Sequence, residues 1–449
     1  MELKYLISSQ QKNEILPLLR SRLIDNQVKG VLLCEKIFPL EYHCRKNVLL
    51  EQQANYWRVM LKDDETSQTW FQTLDLSENF FKDISLENIK KFFRGGFNII
   101  MKKNGLKEFP ANIKEIFPHL YSLDISDNQI QNLQIELSLN YLNANNNQIT
   151  ELQQNAENNY LTRLELSNNK IVDVSSDFWI KFTKLQYLNI SHNRIEYFPI
   201  VLNWVNASWR YTGRREAHLV SLNASHNQMA YFDIIHHENQ NGDNYYSKKK
   251  DLPVFYNFKR LLLQHNFLNM LPHEFFSDRF NQNLQILNLS HNQFRTLPEK
   301  FSTLPKLKWL NISYNQLENL VLPLESPMKT LLATHNFLES LPTEIGDLKT
   351  LEKIHLQNNK ITELPMSIGN LKALKELRLY NNQLQYLPDT FQNLQNLEHL
   401  SLGKNNFEEV PHVLSKLKKL KTLDIGENPL PQKEIEKIQK LLPNTKINT

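Results

Sequence analysis

Between Leu351 and Pro411 the chain repeats itself every 23 residues. Leu351-x-x-Ile354-x-Leu356-x-x-Asn359-x-Ile361-x-x-Leu364-Pro365 is followed in register by Leu374 to Pro388 and then by Leu397 to Pro411. A fixed period of this size marks an array of stacked supersecondary units, because no single unit can bury its apolar face alone. Within a unit the alternation of Leu377 and Leu379 predicts a short strand with both side chains on its inner side. Leu384 and Leu387 then close the turn behind it. The Asn offers two donors and an acceptor, so it can satisfy backbone groups where the chain leaves the strand. Stacked units would share a ladder of such residues.

The motif recurs fifteen times, on Asn79, Asn104, Asn128, Asn147, Asn169, Asn193, Asn227, Asn266, Asn292, Asn315, Asn336, Asn359, Asn382, Asn405 and Asn428. The later units are regular. The gaps ending at Asn227 and Asn266 are 34 and 39 residues, which places insertions near 200–217 and 233–257. The first carries Trp204, Trp209, Arg210 and Tyr211, residue types that anchor interfaces; packing as a longer helix on the convex side weighs equally. The second, with His236, His237 and the run Lys248 to Lys250, reads as a solvated loop.

In the late units the segment after the strand reads Leu-Pro-x-x-Ile/Phe-x-x-Leu, as in Leu364-Pro365-Met366-Ser367-Ile368-Gly369-Asn370-Leu371. Pro suits the start of a short helical turn, and Ile368 and Leu371 lie on one side of it. This pattern resembles the intracellular leucine-rich repeat family with the Leu-Pro-x-x-Ile signature, which includes Ras-pathway scaffold proteins and bacterial effector proteins. The resemblance implies an α/β fold. It is a leucine-rich repeat solenoid, a curved horseshoe with a parallel concave sheet and short helices and turns on the convex side. It also implies a protein-binding scaffold, and, for a bacterial chain, an effector secreted into host cytosol to act on a host protein.

Three segments are expected: 1–68, an N-terminal helical cap or docking segment; 69–430, the repeats; and 431–449, a capping helix and tail. Helices are expected around Ile15 to Ile24 and from about Lys46 to Lys62. The C-terminal helix would bury Ile435, Ile438, Leu441 and Leu442 ahead of a frayed tail. Cys34 and Cys44 are the only cysteines, and with His43 they are too few ligands for a zinc site. They suit small buried hydrophobes in a reducing, cytoplasmic setting.

The formal charge of +4 argues against a dedicated nucleic-acid binder, and no apolar run is long enough to span a membrane. No nucleophile elbow, phosphate loop or clustered metal ligands occur, so the reading is non-enzymatic, with no cofactor and no metal. A monomer is expected.

Strand alternation also maps the open face. Early units present Asp75, Asp124, Asn143, Glu165, Asn189 and Asn223, a solvated surface. From the eighth unit the row changes to Arg260, Leu262, Ile286, Trp309, Leu332, Lys353, His355, Arg378 and Tyr380. An apolar cluster rimmed by charge is the usual mark of a partner site, with Trp309 as its anchor. The residues before the Asn include His192, His226, His265, His291 and His335, with Tyr314 interrupting. Such imidazoles could bind metal or sense pH, although His there is commonly a solvated neighbour. The alternative from another class is an adaptor whose N-terminal segment recruits an enzyme complex, such as a ubiquitin ligase, while the repeats select the substrate.

Overall fold

Most of the described repeats contribute three residues to a parallel strand, and the chain then turns to lay the next strand beside it. A computed structural model of the chain describes residues 48–53, 56–61, 73–75, 77, most of 98–202, 219–236, most of 256–281 and all of 282–449. It forms two compact units, residues 1–170 and 171–449.

In the first unit the strands Thr73–Asp75, Asn98–Ile100, Ser122–Asp124, Tyr141–Asn143 and Arg163–Glu165 pair in sequence order, all parallel. A second parallel pair, Asn132–Gln134 with Glu151–Gln153, forms where the chain returns. Ahead of these lies an antiparallel hairpin, Val48–Gln53 with Tyr56–Leu61. It replaces the helix expected from Lys46 to Lys62. Trp57, Val59 and Leu61 alternate with a period of two, and Gln53 pairs with Tyr56, so the strand period prevails. The expected helix around Ile15 to Ile24, Cys34 and Cys44 lie outside the described residues.

In the second unit the ladder runs from Tyr187–Asn189 and Leu219–Asn223 through Tyr256–Leu262 to Ile286–Asn288 and Trp309–Asn311. It continues through Thr330–Leu332, Lys353–His355, Glu376–Arg378, His399–Ser401 and Thr422–Asp424 to Lys446–Asn448. The inner row is apolar and closed to water: Leu287, Leu310, Leu331, Ile354, Leu377 and Leu423 are fully buried. The tail is therefore not frayed, since Lys446–Asn448 adds a strand to the sheet. The closing helix is Gln432–Leu441. It buries Glu434, Ile438 and Leu442, four residues apart, while Leu441 faces out. That differs from the expected stripe because the Glu434 carboxylate turns inward, accepting the Val410 N–H at 3.1 Å and Lys437 at 3.0 Å.

Five-residue 3-10 turns follow Pro298, Pro342, Pro365, Pro388 and Pro411, whose φ values lie between −56° and −66°. The proline presets that angle and has no N–H to leave unpaired. Ile368 and Leu371 are both fully buried there. Successive turns approach closely: a Cβ on Gly369 would collide with the carbonyl oxygen of Thr390.

The Asn ladder joins the units. Asn315 is buried; its Nδ2 donates to the carbonyls of Leu289 and Ile312, each at 3.0 Å, and its Oδ1 accepts the N–H of Phe294 at 3.0 Å. From Asn128 to Asn428 each such residue binds its own turn and the preceding one. The residue before each Asn, from Lys103 to Glu427, is held at φ between 51° and 57°.

Both insertions begin in strands. Tyr197–Leu202 pairs in parallel with Tyr231–His236, so Ile200 to Leu202 extend a strand where a longer convex helix was one expectation, and His236, expected in a solvated loop, is a strand residue. Residues 203–218 and 237–255 lie outside the described residues; Trp204, Trp209, Arg210, Tyr211 and Lys248 to Lys250 are among them.

Candidate partner-binding face

The strand register sorts the face residues into two rows. One row runs Arg260, Ile286, Trp309, Thr330, Lys353, Glu376; the other runs Leu262, Asn288, Asn311, Leu332, His355, Arg378. Neighbours along a row are about 4.8 Å apart and diagonal neighbours about 8 Å. Ile286 and Trp309 therefore sit side by side, with Leu262 diagonal to the first and Leu332 diagonal to the second. The four apolar residues, expected as an exposed cluster, make a zigzag band. Each is half-buried, because strands on both sides shield a residue in mid-sheet. Asn288 and Asn311 fill the gaps but turn toward their own strand ends. Asn288 Oδ1 accepts from the Ser290 N–H at 3.1 Å and hydroxyl at 2.8 Å, and Asn311 Oδ1 from the Ser313 N–H at 3.0 Å.

Charge brackets the band unequally. At one end Lys259 and Arg260 are exposed, and Lys308, just before Trp309, is exposed as well. No carboxylate among the described residues lies within ion-pair distance of these three. At the other end Lys353, His355 and Arg378 converge on one carboxylate, Glu376. Lys353 Nζ lies 2.7 Å from Oε2, and His355 Nε2 and Arg378 Nε lie 2.9 and 2.6 Å from Oε1. Burial of Glu376 works to raise its pKa. The hydrogen bonds from Lys353 and His355 and the charge of Arg378 outweigh that and bring it down to about 2. Burial lowers the pKa of His355, against the pull of Glu376, so the ring stays neutral and donates Nε2–H. Glu376 thus organises three of the predicted site residues. Its position exactly one period after Lys353 was the available signal.

Tyr380 does not join the band. Its hydroxyl donates to Glu427 Oε1 at 2.8 Å, and its ring lies over Gly403, where an added Cβ would sit 3.0 Å from Tyr380 Cδ2. Beside the face, Glu352 bridges Lys329 at 3.0 Å and Lys375 at 2.7 Å. Hydrogen bonds from Lys375 and Lys329 hold its pKa at about 2.

At the C-terminal ends of these strands the rings of His192, His226, His265, His291, Tyr314 and His335 form one continuous stack. Successive centroids are 4.0 to 4.1 Å apart and the planes differ by 11° to 15°. Beyond it the side-chain ladder continues, with Asn358 Nδ2 2.9 Å from His335 Nε2 and Asn381 Nδ2 donating to Asn358 Oδ1 at 2.7 Å. Near-parallel rings at this spacing do not bring their lone pairs to a common point, as chelation requires. Among the described residues no group of three or more His, Cys, Asp or Glu side chains is placed to hold a metal ion, and no helix is long and apolar enough to cross a membrane.

Comparison with known proteins agrees with this architecture. The family described as "Leucine-rich repeat region" matches residues 326–444, and "Leucine rich repeat" matches 137–195 and 257–317, together more than half of the chain. A mouse leucine-rich repeat and calponin homology domain-containing protein 1 is 49% identical over 72 residues, 16% of this chain and 10% of that protein. The adenylate cyclase of Schizosaccharomyces pombe is 30% identical over 207 residues, 45% of this chain and 10% of the cyclase. The chain thus spans about a tenth of either relative. Among solved structures, a leucine-rich repeat protein of Leptospira interrogans superposes with a TM-score of 0.65 at 28% identity, covering 84% of this chain and 90% of that one. The leucine-rich effector YopM of Yersinia pestis has the same fold, with a TM-score of 0.54 at 22% identity, covering 79% and 83%. Period, Asn ladder, parallel sheet and family matches agree: the chain belongs to the leucine-rich repeat proteins.

Proposed function

We propose that this chain is a non-enzymatic scaffold that captures a protein partner on the sheet face between the strands Tyr256–Leu262 and Glu376–Arg378. The observation that carries the reading is the zigzag of Leu262, Ile286, Trp309 and Leu332, half-exposed and bordered at one end by cations that have no counter-ion among the described residues. A preformed face of this kind binds with little ordering cost of its own. Lys259, Arg260 and Lys308 select for acidity, and Ile286 with Trp309 select for an apolar side chain. The partner segment therefore carries acidic residues beside an apolar anchor. Its setting, on our reading, is that of an effector acting on a host protein. The repeat type and the likeness in fold to bacterial proteins support that setting.

The test is selection of peptides on the immobilised full chain, followed by titration of the enriched sequences. Acidic sequences with an apolar centre are expected. Trp309→Ala should weaken them about thirtyfold, or roughly 2 kcal/mol, with melting unchanged. Enrichment without acidic bias, or affinity untouched by Trp309→Ala in a folded variant, would refute the face.

A further inference from the structure

The ring stack is more than a by-product of repetition. Its members are spaced 21 to 39 residues apart along the chain, yet each lies face to face with the next at one ring thickness. Four consecutive rungs, His192, His226, His265 and His291, are imidazoles, and His335 follows Tyr314. All six hold a left-handed backbone, with φ between 52° and 56°. A side chain fixed in that way has little freedom to move away from its neighbour.

Such a stack accommodates neutral rings and resists adjacent charges. Burial lowers the pKa of His226, and the neighbouring His192, His265 and His291 lower it further, to about 4. Burial also lowers His265, with His192 adding to it, and His291, with His265 and His335 adding to it. Burial alone lowers His335. Among the described residues no carboxylate acts on any of these four rings. The strand residues beside them, Ser191, Ser225, Gln264, Ser290, Ser313 and Thr334, are uncharged. The same turns carry Arg194, Glu196, Arg295, Glu318 and Glu339, which are exposed and contribute no shift. Among the described residues the His335 ring meets the Thr334 hydroxyl and the Asn358 amide.

We propose that this imidazole stack is an acid-sensitive seam, which protonation forces apart, loosening the repeats from His192 to His335. The proposal stands independently of the partner reading, although the loosened repeats include those that carry Leu262 to Leu332. The sign is fixed by linkage. The folded His226, His265, His291 and His335 rings bind protons more weakly than unfolded ones, so unfolding takes up protons. Stability then falls as pH drops below the ordinary His value of about 6.5, and the loss is complete only below about 4.

The chain supplies its own non-titrating control. Asn358 and Asn381 occupy the same row with φ of 57° and 55°, so Asn is compatible with that backbone. The experiment measures unfolding of the full chain from pH 7 to 4.5, in the wild type and in His226→Asn/His265→Asn, with His412→Asn as a control outside the stack. Each proton taken up makes the unfolding constant rise tenfold per pH unit. The wild type should exceed the double variant by about one proton near pH 5.5, and His412→Asn should match the wild type. Imidazole NMR on the single variant His265→Asn is the second readout: the His226 titration should move up toward the ordinary value. Equal pH slopes, or a His226 ring whose titration ignores the loss of His265, would overturn the seam.

Discussion

Removing one rung of the Asn ladder measures how tightly neighbouring repeats are joined. Asn382 is buried; its Nδ2 donates to the carbonyls of Leu356 and Leu379, each at 3.0 Å, and its Oδ1 accepts the N–H of Ile361 at 3.0 Å. Asn382→Ala deletes all three bonds and leaves the Ile361 N–H without its acceptor in a buried site. At about 1 kcal/mol per net bond, plus roughly 1 kcal/mol for the stranded donor, the loss should be about 3–4 kcal/mol. Asn382→Asp should be worse than Ala, because the carboxylate would confront two carbonyl oxygens in place of donating to them. Gln383→Ala, one residue on and exposed, should cost less than about 0.5 kcal/mol. Urea unfolding gives the global change. Hydrogen exchange at Ile361 gives the local one, which matters because repeat arrays can open unit by unit. If Asn382→Ala costs no more than Gln383→Ala, or Asp is tolerated better than Ala, the ladder does not hold the units together and the reasoning fails.

The ion cluster around the buried Glu376 carboxylate makes a separate demand on acidity. Glu376 is held near pKa 2, below its unfolded value, so it contributes stability above about pH 4.5 that is lost as pH falls toward 2. Glu376→Gln should destabilise at pH 7, and the gap from wild type should close across that lower window; a gap constant with pH refutes the assignment. On the turn side, Gly369→Ala forces a Cβ against the Thr390 backbone and should cost about 1–3 kcal/mol in urea unfolding. An unchanged midpoint would mean that the turns can separate freely.

The repeat architecture was legible because two constraints coincide in one motif. A period fixes which residues become neighbours across the sheet, and the Asn fixes how they are joined; Asn315 and Asn382 behave as their donor and acceptor groups require. Where one period repeats there is little else to decide, so the two rows of face residues were correctly placed on adjacent strands. What they do there was less legible. Exposure depends on both flanking strands, so Trp309 emerges half-buried. Tyr380 leaves the group because Gly403, a period later, opens space for its ring. The hairpin at Val48–Leu61 was missed because a short apolar run fits a helix or a strand, and no repeat was present to decide between them. The parallel pair that opens the insertions was missed for the opposite reason: Tyr197–Leu202 and Tyr231–His236 lie outside the regular period.

The left-handed residue in each turn has a consequence for how such a chain can change over generations. From Lys103 to Glu427 the position is filled by Lys, Asp, Asn, His, Tyr and Glu, and never by Val, Ile or Thr, whose branched Cβ suits that backbone poorly. Drift along this row is thus steered. Charge, ring and amide can be exchanged one repeat at a time while the strands keep their register, but branched aliphatic residues are closed to it. A lineage of such arrays could rewrite the chemistry of this edge, turning a ring stack into an amide ladder or a charged rim, without touching the leucines that make the fold.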